Sequence, residues 1–477
     1  MSALRFATVA ELAALLRRKR VSALELAREA CELLAREGPR FNAVAAVTLE
    51  RALAAAVRAD RRLARGDAPA LAGIPYGAKD LVAARGAPTT WGAPPYRDRV
   101  IDRDATVVAR LERAGAVLAA KLAMVELAGG GGYRYPSASL QGPGRNPWDL
   151  GRWSGGSSSG SGAAVAAGLV PFAIGSETSG SIGSPASFCG VTGLRPSYGL
   201  VSRAGAMPLS WTLDKLGPMA HTAEDCALVL EAIAGRDPLD ESTGARRFRP
   251  LDRRGAAAAL RGVRVGFADE DLASASEPAK RALERGVREL RRLAPRVSRA
   301  LLPADLPYGA MVTTIIGAEA GSMHAALIEG DRFDELVDAR QKAGLRAGLA
   351  VGARDYLQAM RLRTVLREAF RRIFAEVDVL LSVGRTSTAP PIDAALDRLP
   401  PGTGSLSASG VPTGNLGLIP AGNLAGLPAI FFPCGLGTDG LPVGLQLVGP
   451  PRSEPLLVAL AAAYQRETGH HLRRPTA

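Results

Sequence analysis

Residues 153–198 read WSGGSSSGSGAAVAAGLVPFAIGSETSGSIGSPASFCGVTGLRPSY, and the rest of the chain is organised around them. Two clusters of serine and glycine, 155–162 and 175–183, flank the apolar segment 163–174. Glycine lets main-chain N–H groups approach a ligand closely, and serine supplies hydroxyls that attack, relay protons or donate hydrogen bonds. A flexible Gly/Ser linker does not alternate with an apolar run of this kind. The pattern predicts two functional loops built on a rigid support.

The surrounding sequence predicts an α/β fold. Of the 477 residues, 47% are hydrophobic and 22% are charged, which is the balance of a globular protein with a large core. Beyond residue 70, predicted strands alternate with predicted helices: a strand that delivers Lys79, a helix at 106–114, and a strand at 117–121. The helix 161–167 and the strand 170–174 continue the series. This alternation predicts an α/β fold with a largely parallel sheet.

The N-terminal 66 residues are predicted to form a helical layer. Thr8 with Glu11 and Ser22 with Glu25 fit the capping box, in which side chains satisfy the free N–H groups of a helix start. A third, alanine-rich helix is predicted at 45–63. These helices are expected to cover the sheet.

The C-terminal half is predicted to close the same domain. A long helical region is expected at 310–376, followed by the strand 377–381 and a Gly/Pro/Ser loop at 390–410. Two more strands, 429–432 and 443–448, and a helix at 454–465 are predicted near the end. Because no repeat or linker interrupts the pattern, we expect one domain over 1–477. It comprises the helical layer 1–66, the core 71–219, and a helical insertion with closing strands at 220–477.

Charge and cysteine content restrict the functional class. The net charge is +13, but the basic residues are scattered in pairs and accompany no zinc-finger or RNA-binding signature, so we expect no nucleic-acid partner. The four cysteines are widely spaced and no apolar signal segment opens the chain, which favours a cytoplasmic protein. No run is long and apolar enough to predict a membrane partner. Without an H-E-x-x-H motif or a Cys/His cluster, we expect no metal and no cofactor.

One serine motif matches a known nucleophile elbow. Residues 156–160 satisfy G-x-S-x-G, which would make Ser158 the nucleophile of an α/β-hydrolase-type esterase. That elbow requires an apolar strand just before the serine, and residues 146–153 instead have the composition of a loop. The esterase is therefore an alternative and not the favoured hypothesis.

Serine chemistry without histidine requires another base. A serine hydroxyl attacks well only when a base removes its proton, and a neutral lysine amine serves in Ser–Lys systems. Burial lowers a lysine pKa by disfavouring its charged form. Lys79 ends an apolar strand, where such burial is expected. The alternative is a structural lysine paired with Asp80 or another acid.

Four motifs taken together resemble the amidase signature family. They are G-I-P-Y-G-x-K-D at 73–80, G-G-S-S-S-G-S at 155–161, G-S-E-T-S-G-S-I at 175–182 and P-A-S-F-C-G-V-T-G-L-R-P-S-Y-G at 185–199. The resemblance is densest over 71–219 and extends weakly to the C-terminus, through N-L-A-G-L-P-A-I and G-L-P-V-G-L-Q-L-V-G. It implies the amidase-signature fold, a large mixed, mostly parallel sheet covered by helices on both sides. It also implies hydrolysis of amide C–N bonds through a Ser–Ser–Lys triad.

The resemblance assigns roles to individual residues. The family's lysine corresponds to Lys79, its bridging serine in a cis peptide to Ser157, and its nucleophile to Ser181. Neutral Lys79 would then take a proton from Ser157, which takes one from Ser181 as it attacks the carbonyl. The oxyanion would be held by main-chain N–H groups of four residues, namely Thr178, Ser179, Gly180 and Ser181.

Several positions depart from the family's pattern. The usual T-D-T-G-G-S-I-R is here S-E-T-S-G-S-I-G at 176–183, so the acid is longer, a glycine is replaced by Ser179 and the arginine by Gly183. The usual K-T-N is Lys121-Leu122-Ala123. These changes bear on the shape of the pocket and the support of the loop. Near the pocket we place Ala128 and Gly129, and also Trp211, for which a place in the core is the alternative.

The expected activity is hydrolysis of a small or apolar linear amide, with aryl amides, esters and carbamates as further candidates. The family also contains the glutaminase-type amidase subunit of a tRNA-dependent amidotransferase, whose C-terminal region normally offers an aspartate before N-L-A-G. Here residues 403–424 contain no acid, and 331–363 lack that subunit's usual pattern, so we favour a stand-alone hydrolase. A non-enzymatic binding protein is the remaining alternative. The expected partners are a small-molecule amide and at most a second copy of the chain.

Overall fold

The computed structural model describes residues 4–245, 247–294, 296–303, 305–396 and 417–476. Within these ranges, eleven strands form one sheet and two more form a separate pair. The strands, in chain order, are β1 (Val44–Val47), β2 (Pro75–Lys79), β3 (Val117–Leu122), β4 (Arg145–Asn146), β5 (Asp149–Trp153), β6 (Phe172–Glu177), β7 (Thr192–Arg195), β8 (Lys215–Ala220), β9 (Arg264–Phe267), β10 (Arg296–Arg299), β11 (Val379–Val383), β12 (Ala429–Leu436) and β13 (Pro442–Val448). The order across the large sheet is β1-β3-β2-β6-β8-β7-β12-β13-β11-β9-β10, and β4 pairs with β5.

The large sheet is mixed, as predicted, but parallel pairs are not in the majority. The parallel pairs are β2 with β3, β2 with β6, β9 with β10 and β9 with β11. Strands β8, β12 and β13 pair only antiparallel with their neighbours. Among these pairs, only β12 and β13 follow one another through a short connection, which allows a hairpin. Strands β2, β3, β6 and β8 are buried along their whole length. This buried part of the sheet carries Lys79.

Helices surround the sheet, as predicted. They are α1 (Val9–Arg17), α2 (Ala23–Glu37), α3 (Leu49–Arg65), α4 (Thr106–Arg113), α5 (Ser159–Ala166), α6 (Gly183–Cys189), α7 (Ala223–Ile233), α8 (Arg253–Gly262), α9 (Glu270–Ala273), α10 (Glu277–Leu293), α11 (Tyr308–Met323), α12 (Ala325–Ile328), α13 (Ala339–Leu349), α14 (Ala353–Glu376), α15 (Leu418–Ala425) and α16 (Glu454–Thr468). None of the helices in the described ranges combines the length and the apolar character that a bilayer crossing requires.

The N-terminal layer follows the prediction except at the start of its third helix. Both capping boxes form, with Thr8 and Ser22 each exchanging hydrogen bonds with the expected glutamate. The predicted helix over 45–63 was wrong at its beginning, where the chain forms β1 and enters α3 only at Leu49. Strand β1 pairs antiparallel with the edge of β3, and Thr48 donates its hydroxyl to the Leu118 carbonyl at 2.7 Å. Pairing with a distant strand therefore overrides the local alanine-rich preference for helix.

Helix α5 is made of small residues because it is enclosed on every side. All eight of its residues are buried. A Cβ on Gly160 would lie 2.3 Å from the Ala43 carbonyl oxygen and 2.6 Å from the Ala123 nitrogen, so only glycine fits at this crossing. This close packing fixes the start of α5, and with it the serine cluster that precedes the helix.

The predicted helical region 310–376 contains α11 to α14, and two of these helices are built around glycine. A Cβ on Gly344 of α13 would lie 1.8 Å from the Gly131 carbonyl oxygen, and one on Gly348 would lie 2.2 Å from that of Gly317 in α11. The glycines thus let the backbones of α11, α13 and the loop at 129–132 touch. The predicted loop 390–410 lies in part outside the described residues.

Candidate active site

Lys79 is the last residue of β2, between the parallel neighbours β3 and β6. Its side chain is fully buried. The Nζ atom lies 2.7 Å from Ser157 Oγ and 2.9 Å from Ser176 Oγ, within hydrogen-bond distance of both hydroxyls. The structure thus joins two residues singled out from the sequence, Lys79 and Ser157, and adds Ser176.

Asp80, the acid considered as an alternative partner of Lys79, pairs with a different lysine. Asp80 accepts from Lys121 Nζ at 2.7 Å, and both side chains are buried. Asp80 also accepts from the Thr90 main-chain N–H at 2.9 Å. Lys121 is the lysine of the altered K-T-N motif, so the change of its two neighbours leaves this ion pair intact. Lys79 is left with hydroxyl partners.

Burial shifts the protonation equilibrium of Lys79. Desolvation of the ammonium group lowers the pKa of Lys79 to about 7, although the negative charges of Asp214 and Glu177 oppose this shift. A lysine with this pKa is neutral in a large fraction of molecules near neutral pH, whereas an exposed lysine is almost entirely charged. Lys79 can therefore accept a proton from a neighbouring hydroxyl.

The first Ser/Gly loop carries Ser157 through a cis peptide bond between Gly156 and Ser157. The Ser157 carbonyl accepts from the Val125 N–H at 3.1 Å, and the side chain is 2% exposed. A Cβ on Gly156 would lie 2.8 Å from both the Trp153 ring and a Val125 methyl group, so the loop passes close to its walls there. The hydroxyl of Ser157 is held against Lys79 by this packing.

Ser158, the nucleophile of the esterase alternative, ties the two loops together. Its hydroxyl donates to the Ser176 carbonyl at 3.2 Å and accepts from the Ser176 N–H at 3.2 Å. Its own N–H donates to the Ser181 carbonyl at 3.3 Å. The preceding residues, expected to be loop, form β5, but this strand belongs to the small two-stranded sheet and is partly exposed. Ser158 thus does not sit on a turn at the end of a core strand, as the elbow requires.

The second Ser/Gly loop folds around the carboxylate of Glu177. One oxygen accepts from the main-chain N–H groups of Ile182 and Gly183, both at 2.9 Å. The other accepts from Arg195 Nη1 at 2.7 Å and from Asn423 Nδ2 at 2.9 Å. Burial opposes the charge of Glu177, but Arg195 and these hydrogen bonds outweigh it and lower its pKa to about 2. A charged carboxylate therefore fixes both ends of the Ser181 turn.

Two of the departures from the family pattern, Glu177 and Gly183, lie together in the structure. The family's arginine at the end of the motif is Gly183 here, and a Cβ at that position would lie 2.5 Å from the Phe431 ring. The guanidinium that binds Glu177 belongs to Arg195, on β7. The structure thus holds a buried acid–guanidinium pair under the loop.

Ser181 lies at the surface of a cavity of about 350 Å³. Gly156, Thr178 and Ser179 line the same cavity, as do Ala128 and Gly129. The hydroxyl of Thr178 donates to Asp214, which also accepts from the main-chain N–H groups of Leu209 and Ser210. Further lining residues are apolar or basic: Leu209, Val312, Ile316, Ile419, Arg340 and Arg385.

Trp211 has a different position. Its side chain is 43% exposed, so it is not a core aromatic. It lines a second cavity of about 260 Å³, which shares Ala128, Thr178 and Leu209 with the first. Its carbonyl accepts from the hydroxyl of Tyr198 at 2.7 Å. Trp211 thus does not line the cavity that contains Ser181.

The sequence reasoning missed Ser176, Arg195, Asn423 and the two basic residues of the cavity wall. Parallel pairing of β2 with β6 could have located Ser176. Ala78 is opposite Ile174, so Ser176 lies just beyond the end of β2.

In the part of the chain that the structure describes, His, Cys, Asp and Glu side chains form no group of three that could hold a metal ion. The four cysteines are buried and unbridged.

The model of the amidase family matches residues 25–458. The chain belongs to the amidase signature family. A glutamyl-tRNA(Gln) amidotransferase subunit from Methylococcus capsulatus is 38% identical over 492 residues, covering 98% of both chains. This amidase is therefore an amide-cleaving enzyme.

Solved structures agree with this membership. The peptide amidase from Stenotrophomonas maltophilia is 31% identical, with a TM-score of 0.83 and coverage of 99% of this amidase and 98% of that chain. A chain from a vestigial complex, studied for the evolutionary origins of an s-triazine catabolic enzyme, is 32% identical, with a TM-score of 0.87 and coverage of 98% and 100%. These similarities confirm the predicted fold class. The relatives differ in substrate, so they leave the substrate of this amidase open.

Proposed function

We propose that this amidase hydrolyses a small, largely apolar linear amide through Lys79, Ser157 and Ser181. The observation that carries the proposal is the 2.7 Å contact between Lys79 Nζ and Ser157 Oγ. It is supported by burial, which lowers the pKa of Lys79 to about 7 and so supplies a neutral amine. A base of this pKa is well matched to proton transfer near neutral pH.

The proposed reaction has two halves. Lys79 takes the proton of Ser157, Ser157 takes that of Ser181, and the Ser181 oxygen bonds to the amide carbon. As the tetrahedral intermediate collapses, the C–N bond breaks and the proton returns through Ser157 to the leaving nitrogen, which departs as an amine. Water then attacks the acyl-enzyme by the same relay, releasing the carboxylic acid and restoring Ser181.

Main-chain donors would stabilise the intermediate. We assign the oxyanion to the N–H groups of residues 178–181, on the turn that Glu177 fixes through Ile182 and Gly183. Donors held in place before the reaction stabilise developing charge best, and loss of one typically lowers the rate about 100- to 1000-fold. Gly180 supports this turn, because its φ of +93° belongs to the region that glycine adopts most readily.

The amidase subunit of a tRNA-dependent amidotransferase is the second candidate. The 38% identity to the Methylococcus capsulatus protein, over 98% of both chains, favours it. Against it stands the lack of an acid in residues 403–424. In that case the substrate would be glutamine, and protein partners would be required. Glutamine hydrolysis that appears only with partner subunits would identify this function.

The test combines covalent labelling with turnover. A sulfonyl fluoride should modify Ser181, located by mass spectrometry, and Lys79→Ala should slow the labelling. A panel of amides, esters and carbamates should be hydrolysed by the wild type and not by Ser181→Ala, whereas the exposed-serine variant Ser137→Ala should match the wild type. An adduct on Ser158 would favour the esterase. Turnover that persists in Ser181→Ala would refute the assignment.

A further inference from the structure

Asp214 is a buried acid whose place follows from the register of the sheet. It precedes β8 by one residue, and the antiparallel pairing of β6 with β8 sets Glu177 opposite Lys215. Continuing this register by one residue brings Asp214 beside Thr178, in the turn that carries Ser181. The two side chains meet there, since the Thr178 hydroxyl donates to the Asp214 carboxylate at 2.5 Å.

The other oxygen of Asp214 holds part of the cavity wall. It accepts from the main-chain N–H groups of Leu209, at 2.8 Å, and of Ser210, at 2.9 Å. Leu209 and Thr178 both line the cavity that contains Ser181. Hydrogen bonds to a charged acceptor are stronger than those between neutral groups. One carboxylate thus joins the turn of the nucleophile to another part of the cavity wall.

A second buried acid, Glu319 in α11, also binds this part of the wall. Its carboxylate accepts from the hydroxyl of Ser210 and, at 2.8 Å, from that of Thr212. It also accepts from the hydroxyl of Tyr356, in α14, at 2.7 Å. The segment that leads to Asp214 is therefore tied to two helices, which fixes where its carboxylate lies.

Asp214 also lies near the general base. Together with Thr178 and Ser176 it lines the second cavity, of about 260 Å³, and the Ser176 hydroxyl is 2.9 Å from Lys79 Nζ. Burial lowers the pKa of Lys79 to about 7, and two negative charges oppose this shift, Asp214 more strongly than Glu177. Without these acids the lysine would lose its proton at a lower pH.

The two acids differ in how far their charge is neutralised. Glu177 is paired with the guanidinium of Arg195 at 2.7 Å, which weakens its field at a distance. In the described part of the chain, the groups that donate to Asp214 are one hydroxyl and two main-chain N–H groups. Such donors favour the charged carboxylate and carry no net charge of their own. This difference agrees with the larger effect of Asp214 on Lys79.

Two basic residues near Asp214 compensate its charge only weakly. Arg203 lines the same cavity, but its guanidinium is paired with Asp240 at 2.9 Å. Lys215 follows Asp214 in the chain, and burial lowers the pKa of Lys215 well below its ordinary value, which favours the neutral amine. Burial also raises the pKa of Asp214, and the hydrogen bonds that it accepts oppose this shift.

We propose that Asp214 is a positioning residue for the reaction, which holds Thr178 and its turn in place and keeps a negative charge near the amine of Lys79. This inference rests on the proposed function, since it assigns the support of that same base and turn. The carboxylate has two separable effects. Its hydrogen bond orients the turn, and its charge favours the protonated form of Lys79 and so sets the pH at which the base becomes active.

Asp214→Asn removes the charge and keeps the shape. The amide oxygen can accept from the N–H groups of Leu209 and Ser210, and the amide NH2 can donate to the Thr178 hydroxyl. Because the ammonium form of Lys79 loses a stabilising charge, the pKa of Lys79 falls below its wild-type value of about 7. The acidic limb of kcat/KM should move to lower pH by about 0.5–1 unit, as expected for one charge several ångströms away in a protein.

Thr178→Val tests the hydrogen bond alone. Valine keeps the branched shape without the hydroxyl, and the charge of Asp214 remains. We expect kcat to fall about 10- to 100-fold as the turn loosens, with the acidic limb at its wild-type pH. Thr178→Ser keeps the hydroxyl and should recover most of this loss. Asp225→Asn is the control, since Asp225 is a buried acid of α7 that accepts from the N–H of Ala10, and it should leave both kcat and the limb unchanged.

The outcomes separate the two effects. An acidic limb in Asp214→Asn that stays at the wild-type pH, or moves to higher pH, overturns the role of the charge. A wild-type kcat in Thr178→Val overturns the role of the hydrogen bond. Circular dichroism establishes that each variant is folded, and should Asp214→Asn fail to fold, the valine and serine variants of Thr178 still decide whether Asp214 positions the turn.

Covalent labelling separates this inference from the proposed function. The reaction of Ser181 with a neutral sulfonyl fluoride needs the same base, so its pH dependence should shift in Asp214→Asn as that of kcat/KM does. A wild-type limb near pH 7 that Asp214→Asn leaves in place refutes the inference and leaves the Ser–Ser–Lys proposal standing. If Ser181 is not labelled and no amide is hydrolysed by the wild type, the proposed function fails and the inference fails with it.

Discussion

Replacing Lys79 with methionine should make this amidase more stable, by an amount that depends on pH. The reference pKa of a lysine is 10.5, and burial lowers that of Lys79 to about 7 in the folded chain. Between these two values, the unfolded chain binds a proton that the folded chain does not. The wild type therefore gains stability as the pH rises through this window, and the methionine variant lacks this gain.

The size of the effect follows from the shift. Each unit of pKa difference corresponds to about 1.4 kcal/mol, so the lysine opposes folding by about 4 kcal/mol near pH 7 and by about 2 kcal/mol near pH 9. Methionine also removes the hydrogen bonds to Ser157 and Ser176, which contribute about 1 kcal/mol each. That loss is nearly constant with pH. The stability advantage of Lys79→Met should thus shrink by about 2 kcal/mol from pH 7 to pH 9.

Urea unfolding followed by circular dichroism at the two pH values measures this difference. Lys121→Met is the matched control, because it also replaces a buried lysine but leaves the Asp80 carboxylate without its partner. That control should be destabilised by about 3–5 kcal/mol. The neutral-amine reasoning would be refuted if the difference in unfolding free energy between wild type and Lys79→Met were the same at pH 7 and pH 9. It would also be refuted if the variant were less stable than the wild type at both pH values.

Three further predictions concern the base, the loop and the cavity wall. In the wild type, kcat/KM should rise with pH along an acidic limb with an apparent pKa of about 7, since only neutral Lys79 accepts a proton; a profile flat from pH 5 to pH 9 would contradict this. Arg195→Met should destabilise the fold by about 3–5 kcal/mol in urea unfolding, because Glu177 stays buried and charged. Breaking the solvent-accessible pair of Arg264 and Asp378 by Arg264→Met should have a much smaller effect, because water screens that pair. Gly344→Ala should destabilise by about 1–3 kcal/mol, because its Cβ would lie 1.8 Å from the Gly131 oxygen, whereas Gly317→Ala, with no atom within 4 Å, should be neutral or slightly stabilising by the same assay.

The sequence was sufficient for the parts of the fold that local pattern controls. Both capping boxes, the helices around 310–376 and the strand that delivers Lys79 were predicted from local composition and spacing. The contact between Lys79 and Ser157 followed from the resemblance to a family, and 78 positions separate these two residues in the chain. No local pattern carries that information. Motifs shared with known amidases supply it.

The features that were not predicted depend on contacts between residues that are far apart in the sequence. The segment Val44–Val47 forms a strand because it pairs antiparallel with β3. Antiparallel pairing of β7, β8 and β12 reverses the expected majority of parallel pairs, and hydrophobic runs look alike in both arrangements. Arg385 lies 205 positions from Gly180, whose carbonyl it faces, so no local sequence pattern predicts this contact.

The altered second loop shows how such distant contacts decide a local question. From the motif alone, Gly183 in place of arginine left open what supports the loop. The carboxylate of Glu177 needs a buried cation, since a charge without a partner in the interior costs several kcal/mol. Arg195 provides that cation from β7, and the space at Gly183 is taken by the ring of Phe431. If this exchange is the reason for the longer acid, Glu177→Asp should weaken the pair and lower kcat, while Glu177→Gln combined with Arg195→Met should restore part of the stability that Arg195→Met loses.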